Sequence, residues 1–306
     1  MEDDYMNKKI LRHYLMTSVY TYAGNYENYF KNLPDDISEL CKLVCSQVIH
    51  RVTLKEGNTN ANLSLLYGDM TKFPWYRIRC EDDILQTAAA MTAELFRLDN
   101  NGFIPERQVE NKIVVTCRYV SVLMSAILKA KGIPCRSRSG FAPYFKDGFS
   151  LDHWINQYWD FRQLKWVTFD ADFFGDDSIG FSQYDIPSDR FDWAADTWLK
   201  IRENQTDGTK FLWAGGEDSL KAAIRAIFYD FHSLMNNEIS FLFQPSYIDG
   251  KFEKLSEDNF SEIDSLARLM VNPDVNFNSI CEVWNTNKKY RILNSPLVGD
   301  WDNLSS

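Results

Sequence analysis

Three residues of this 306-residue chain have types and surroundings suited to acyl chemistry: Cys117, His153 and Asp170. A thiolate attacks carbonyl carbon, and both an adjacent imidazole and a helix N-terminus favour thiolate over thiol. A carboxylate on the second ring nitrogen then fixes the tautomer and orientation of the imidazole. Each residue also has an ordinary reading: a buried structural cysteine, a polar strand residue, a turn acid. Their order along the chain is more informative than any one of them, so the elements that carry them decide the matter.

Cys117 lies in "VVTCRYVSVLMSAILKAKGIPC". Thr116 has the side chain of an N-cap residue, whose hydroxyl can accept a first-turn N–H. Val120, Leu123, Met124, Ile127 and Leu128 follow the i, i+3, i+4, i+7, i+8 spacing of a buried helical stripe, and Arg118, Ser121, Ser125 and Lys129 form a more polar side. Gly132 suits a left-handed C′ position and Pro134 prevents continuation. The spacing therefore predicts a helix starting at Cys117. The cysteine sits in its first turn, pointing along the packed stripe, where the dipole contributes roughly half a positive charge.

His153 opens "HWINQYWDFRQLKWVTFDAD", whose aromatic and β-favouring residues predict two strands. If the chain folds back through Asp160-Phe161-Arg162-Gln163, Trp159 faces Leu164 and His153 lies directly opposite Asp170. Opposed residues of an antiparallel pair share one face, and a one-residue slip would separate the imidazole from the carboxylate. Trp154, Tyr158 and Trp159 are aromatic at strand spacing, which suits a core or the wall of a cleft. Tyr119, Trp154 and Gln157 are candidates for contacting substrate.

These features together resemble the transglutaminase-like superfamily of papain-type fold over about residues 84–172. The resemblance rests on the cysteine helix ending in "AKGIPCRSRSGF", on "DHW" and on "WVTFD". It implies an α+β fold in which the nucleophile helix packs on an antiparallel sheet, flanked here by helical N- and C-terminal regions. Carried over position by position, it implies Cys117 as nucleophile, His153 as base and acid, and Asp170 as orienting carboxylate. Thr116 and Arg118 flank the cysteine where relatives often have Gly and an aromatic residue or Gly. Trp154 is adjacent to the histidine rather than two residues on. Gln157 stands where a Glu is often found. The implied activity is a thiol-dependent hydrolase or acyltransferase working on an amide or related acyl bond through a thioester. The substrate would be a peptide, a glycopeptide or a small amide. A catalytically silent binding or scaffold protein and an arylamine-type acyltransferase are the alternatives.

The remaining composition is ordinary: 45% apolar, 25% charged, net charge -10. No basic stripe or long apolar segment occurs, so neither nucleic acid nor membrane is expected as a partner. The opening "MEDDYMNKKILRHYL" has no apolar signal core, and a cytoplasmic protein is expected. The six cysteines, sparse and without a CxxC pair, are expected to be free thiols. Cys41, Cys45 and His50 lie on the predicted helix "DISELCKLVCSQVIHRV"; they lack a fourth ligand at suitable spacing and read as core, so no metal or other cofactor is expected. Residues 7–31 have a tyrosine-rich helical pattern, and "EDDILQTAAAMTAELFRL" reads as one helix. The expected organisation is a helical region over 1–80, a catalytic core over 81–207 and a mostly helical region over 208–306, with a single compact domain as the alternative.

Overall fold

The computed structural model describes residues 2–51, 67–77, 81–172, 179–213 and 219–292. Helix α1 is Glu2–Leu15. The helical pattern expected over 7–31 breaks after it. Gly24 takes φ of 58°, a turn conformation open to glycine, and helix resumes only as α2, Glu27–Lys31.

Asp36 caps the next helix by accepting the Glu39 N–H at 3.0 Å. That helix, α3, is Ile37–Cys45. The expected continuation through His50 fails: Val48–His50 is strand β1 instead. The β-branched pair Val48 and Ile49 gains more from pairing in a sheet than from a fourth helical turn. Much of the stretch 54–80, with Cys80, lies outside the described residues. "EDDILQTAAAMTAELFRL" is divided into α4, Glu81–Ile84, and α5, Ala88–Leu98. Thr87 makes the division, since its hydroxyl caps a new helix by accepting the Ala90 N–H at 3.1 Å.

Strand β2, Ile113–Val115, pairs in parallel with β1, setting His50 beside Val115. One residue later the chain enters α6, Cys117–Ala130. The predicted helix is present, and it is buried on all sides from Cys117 through Lys129. The stripe from Val120 to Leu128 packs into a core shared with α2, α3 and α5. The polar side is not solvent-facing as its composition suggested; it packs against the sheet and satisfies its hydrogen bonds there. Ser121 Oγ donates to Ser137 Oγ at 2.8 Å. Asn156 Nδ2 donates to the Ser121 carbonyl and to Ser125 Oγ, both at 3.0 Å. Gly132 takes φ of 80° and closes the helix as expected.

The main sheet is built on a long hairpin, β3 (Cys135–Lys146) and β4 (Phe149–Asp160), followed by β5 (Lys165–Phe169). Two-residue strands follow later in the chain: β6, Asp192–Trp193, leading into helix α7 (Ala194–Arg202), and β7, Phe211–Leu212. The sheet order is β5-β4-β3-β6, with β7 joined in parallel to the first part of β4. Gly140, opposite His153, is required by the approach of β6: a Cβ there would stand 2.5 Å from the Asp192 carbonyl oxygen.

The β4–β5 register differs from the expected one by two residues. Trp159 pairs with Trp166 and Asp160 with Lys165, so the turn is Phe161–Leu164. Asp160 causes this by accepting the N–H groups of Arg162 (2.7 Å) and Gln163 (3.1 Å), and Leu164 completes the turn at φ of 52°.

The C-terminal part is helical as expected: α8 (Ser219–Leu234), α9 (Glu257–Val271) and α10 (Phe277–Thr286). Helix α8 packs on β3, and α9 on α7. A second core joins these helices to Ile10 and Tyr14 of α1. The architecture is α+β, with the cysteine helix packed on an antiparallel sheet. No described helix is long and apolar enough to cross a membrane.

Candidate active site

Cys117 occupies the first turn of α6 and is 4% exposed. It lies in line with Ser121 and Ser125 at i, i+4, i+8, so it points towards the sheet rather than along the apolar stripe. That orientation brings its thiol beside the His153 ring on β4, close enough for the two groups to influence each other's charge. The other partner of the ring is Asp170: His153 Nε2 stands 2.8 Å from Asp170 Oδ2. Asp170 follows the last residue of β5, and the two-residue register shift leaves it diagonal to His153 instead of directly opposite. Because side chains alternate with a period of two, such a shift keeps the same residues on the same face, and the diagonal neighbour remains within reach.

The carboxylate of Asp170 is fully engaged. Its Oδ2 also accepts the Tyr144 hydroxyl at 2.8 Å, and its Oδ1 accepts the Asp172 N–H at 2.9 Å. The Gln183 carbonyl accepts the Asp170 N–H at 2.9 Å. Burial pushes the Tyr144 phenol well up, with the charge of Asp170 adding to it, so Tyr144 remains a donor. The Phe145 ring stands edge-on to His153 at 4.8 Å.

Burial works against a charged imidazole at His153, but Asp170 and then Cys117 oppose it, and the net direction is well above the usual value. For Cys117, burial pushes the thiol up and His153 pulls it part of the way back. Asp170 thus makes His153 a ready acceptor for the Cys117 proton while burial holds that proton on sulfur, and solvent or a polar substrate entering the site would remove part of the burial penalty.

A second histidine–aspartate pair reaches the same cysteine. His50, at the end of β1, accepts the Cys117 backbone N–H on Nε2 at 3.1 Å. The same Nε2 is 3.2 Å from Asp172 Oδ2. Burial, followed by His153, lowers the His50 pKa to about 3, so the ring is neutral. Burial pushes the Asp172 carboxyl well above the ordinary range; His153 opposes this and Asp170 adds to it. The Cys45 thiol donates to the Ala171 carbonyl, tying the backbone between the two aspartates to α3. His50 Nε2 also takes the cap expected of Thr116, whose buried hydroxyl has no partner among the described residues.

The other residues singled out from the sequence have different surroundings. Trp154 is buried with Cys117, Tyr229 and Ile239, and its indole N–H has no partner among the described residues. Gln157 accepts from Arg136 at 2.8 Å and donates to Thr168 at 3.0 Å, so its amide holds the sheet together. The Tyr119 hydroxyl donates to the Asp82 carbonyl. Tyr158 packs on Phe169, and Trp159 on Trp166. Arg118 is buried against the Tyr20 ring and donates to the Glu238 carbonyl, an internal brace beside Cys117. Cys41 is buried in the helical core, and the described cysteines are free thiols.

Comparison with protein families gives one match over this region: the transglutaminase-like superfamily, residues 98–171. Residues 98–171 form a transglutaminase-like core. Comparison with curated proteins and with solved structures gives no significant match. The transglutaminase-like span runs from the end of α5 to the residue after Asp170, so it includes Cys117, His153 and Asp170. His50 and Asp172 lie outside it. Sequence reasoning missed both, along with Tyr144. The available signals were the β-branched pair before His50 and the alternation of Asp170 and Asp172, which sets two carboxylates on one side of an extended chain.

Proposed function

We propose that this protein is a thiol-dependent hydrolase or acyltransferase acting on an amide or related acyl bond, with Cys117, His153 and Asp170 as its triad. The observation that carries the reading is that Cys117, at the start of a buried helix, lies beside the His153 ring, whose Nε2 is 2.8 Å from Asp170 Oδ2. In the first step the Cys117 proton passes to His153, and sulfur adds to the carbonyl carbon. The Cys117 N–H is the donor for the resulting oxyanion, and His50 must release it first. Collapse breaks the C–N bond, the imidazolium protonates the departing amine, and a thioester remains on Cys117. Water then yields the acid, whereas a second amine yields a new amide. Either route returns the proton to sulfur.

One observation favours a second reading, a binding or scaffold protein without turnover. Trp154, Tyr229 and Ile239 pack around Cys117, with Phe241 against them, and leave the thiol covered. A thiol-directed acylating probe separates the two readings. The catalytic reading expects about one acyl group per chain on Cys117, none in Cys117→Ala, and labelling slowed by about 100-fold or more in His153→Ala. Labelling that proceeds equally in His153→Ala, or that is absent in the wild-type protein, would support the scaffold reading. Consumption of an acyl-coenzyme A would identify the arylamine-type alternative.

A further inference from the structure

The mechanism uses one histidine–aspartate pair, yet the structure aims two at Cys117. His50, Cys117 and Asp172 each offer a ligand atom, and these three atoms lie within 4.8 Å of one another. They come from three separate elements: the end of β1, the start of α6 and the segment after β5. An imidazole, a thiol and a carboxylate form a donor set suited to zinc, which accepts nitrogen, sulfur and oxygen together.

Two details distinguish this cluster from a chance meeting of polar side chains. His50 Nε2 accepts the Cys117 N–H, which assigns the ring proton to Nδ1 and leaves the Nε2 lone pair directed into the cluster. That is the metal-binding form of imidazole. Asp172, 6% exposed, has its Oδ2 3.2 Å from this nitrogen, and its Oδ1 has no hydrogen-bond partner among the described residues. A proton on Oδ2 can bridge the carboxyl to the imidazole lone pair, but the buried Oδ1 still meets no donor among the described residues, and a cation held by these groups would satisfy it. His153 and Asp170 do not share this deficiency, since their contact is already a satisfied hydrogen bond.

The geometry points to a binding site for a zinc-class divalent cation formed by His50 Nε2, Cys117 Sγ and a carboxylate oxygen of Asp172. Zinc bonds of about 2.0–2.3 Å to such donors require the donor atoms to stand roughly 3.3–3.9 Å apart. The His50 and Asp172 atoms are already near that spacing, and the thiol closes the remaining gap. Binding replaces the Cys117 N–H on the Nε2 lone pair and releases the protons of the Cys117 thiol and the Asp172 carboxyl to solvent. The sulfur lone pair is then held by the cation and is unavailable to a carbonyl. The site is thus a reversible lock on the nucleophile. His50, with its side chain 17% exposed, is the most exposed of the three donors. The role as a lock rests on the proposed catalytic reading, whereas the cation site itself does not, and cation binding and acylation are measured separately.

The test titrates Co2+ into the whole chelator-treated protein and follows the thiolate-to-cobalt charge-transfer band, with Zn2+ added afterwards as competitor. The expected result is saturation at one cobalt per chain and loss of the band on adding Zn2+. Cys117→Ser abolishes the band. His50→Ala and Asp172→Asn each weaken binding by about tenfold or more, whereas His153→Ala retains it. On the unmodified protein, Zn2+ protects Cys117 from iodoacetamide, which tests the idea without any variant. The inference is overturned if no band forms at stoichiometric cobalt, or if Zn2+ gives no protection. It is also overturned if His50→Ala binds as the wild type does, or if His153→Ala loses the band as fully as Cys117→Ser.

Discussion

Asp170 meets three donors at once, from His153, Tyr144 and the Asp172 backbone, so its carboxylate cannot rotate away from the imidazole. Asp170→Asn keeps the volume and removes the charge that stabilises imidazolium. Acylation of Cys117 is expected to slow by about 100-fold or more, with little change in near-ultraviolet circular dichroism. Elsewhere, His232 presents the opposite electrostatic situation. It is fully buried on α8, donates to the Phe228 carbonyl at 2.7 Å, and its Nε2 has no partner among the described residues. Burial is the main cause of a pKa lowered from the usual 6.5 to about 4. The unfolded chain therefore binds a proton that the folded chain rejects. Stability from this group is fully present above about pH 6.5 and is lost as pH falls towards about 4, up to about 3 kcal/mol. His232→Phe is expected to flatten that part of the pH–stability curve, as measured by denaturant midpoints between pH 7 and 4.

At the scale of elements, α6 is enclosed by a helical core on one side and the sheet on the other, and it presents Cys117 at the seam. The segment after α8 closes that seam. The Phe241 ring stands edge-on to Trp154 at 6.2 Å and to Tyr229 at 5.5 Å, and Tyr229 packs with Cys117. Each such aromatic pair contributes about 0.5–1.5 kcal/mol beyond its buried area. Removing both in Phe241→Ala is expected to favour local opening by about 5- to 150-fold. Cys117 should then react faster with iodoacetamide by the same factor, while the unfolding midpoint falls only modestly. An unchanged alkylation rate would show that access to the thiol is controlled from another side.

Across the whole molecule, the sheet is tied to the C-terminal helices by a buried ion pair. Arg138 on β3 donates to both carboxylate oxygens of Asp230 on α8, at 2.7 and 2.9 Å, and its guanidinium lies 4.7 Å from the Trp193 ring centre. Asp230 also accepts the Ser139 N–H at 3.1 Å. Asp230→Ala would leave a buried guanidinium uncompensated, at a cost of about 3–5 kcal/mol. Thermal unfolding should report a fall in Tm of roughly 5–15 °C. The same connection bears on the site, because α8 carries Tyr229 next to Asp230: the helix that braces the sheet also covers Cys117.

The sequence by itself determined the elements whose signals are local. The cysteine helix was readable from its 3.6-residue stripe and from Gly132 and Pro134. The strand carrying His153 and the strand that leads to Asp170 were readable from alternation, and so was the face the two residues share. Alternation has a period of two, however, so it could not distinguish the expected register from one shifted by two residues. The Asp160 side chain, bonding to the two N–H groups that follow, selected the second. His50 was unreadable for a different reason. "DISELCKLVCSQVIHRV" satisfies a helix pattern throughout, and only pairing with Ile113–Val115, more than sixty residues away, makes its last part a strand. Tertiary structure alone decided that His50 and Asp172 join Cys117, that the polar side of α6 is interior, and that α1 belongs with the C-terminal helices. These contacts depend on which buried surfaces meet after the chain closes, and local residue spacing contains no record of that.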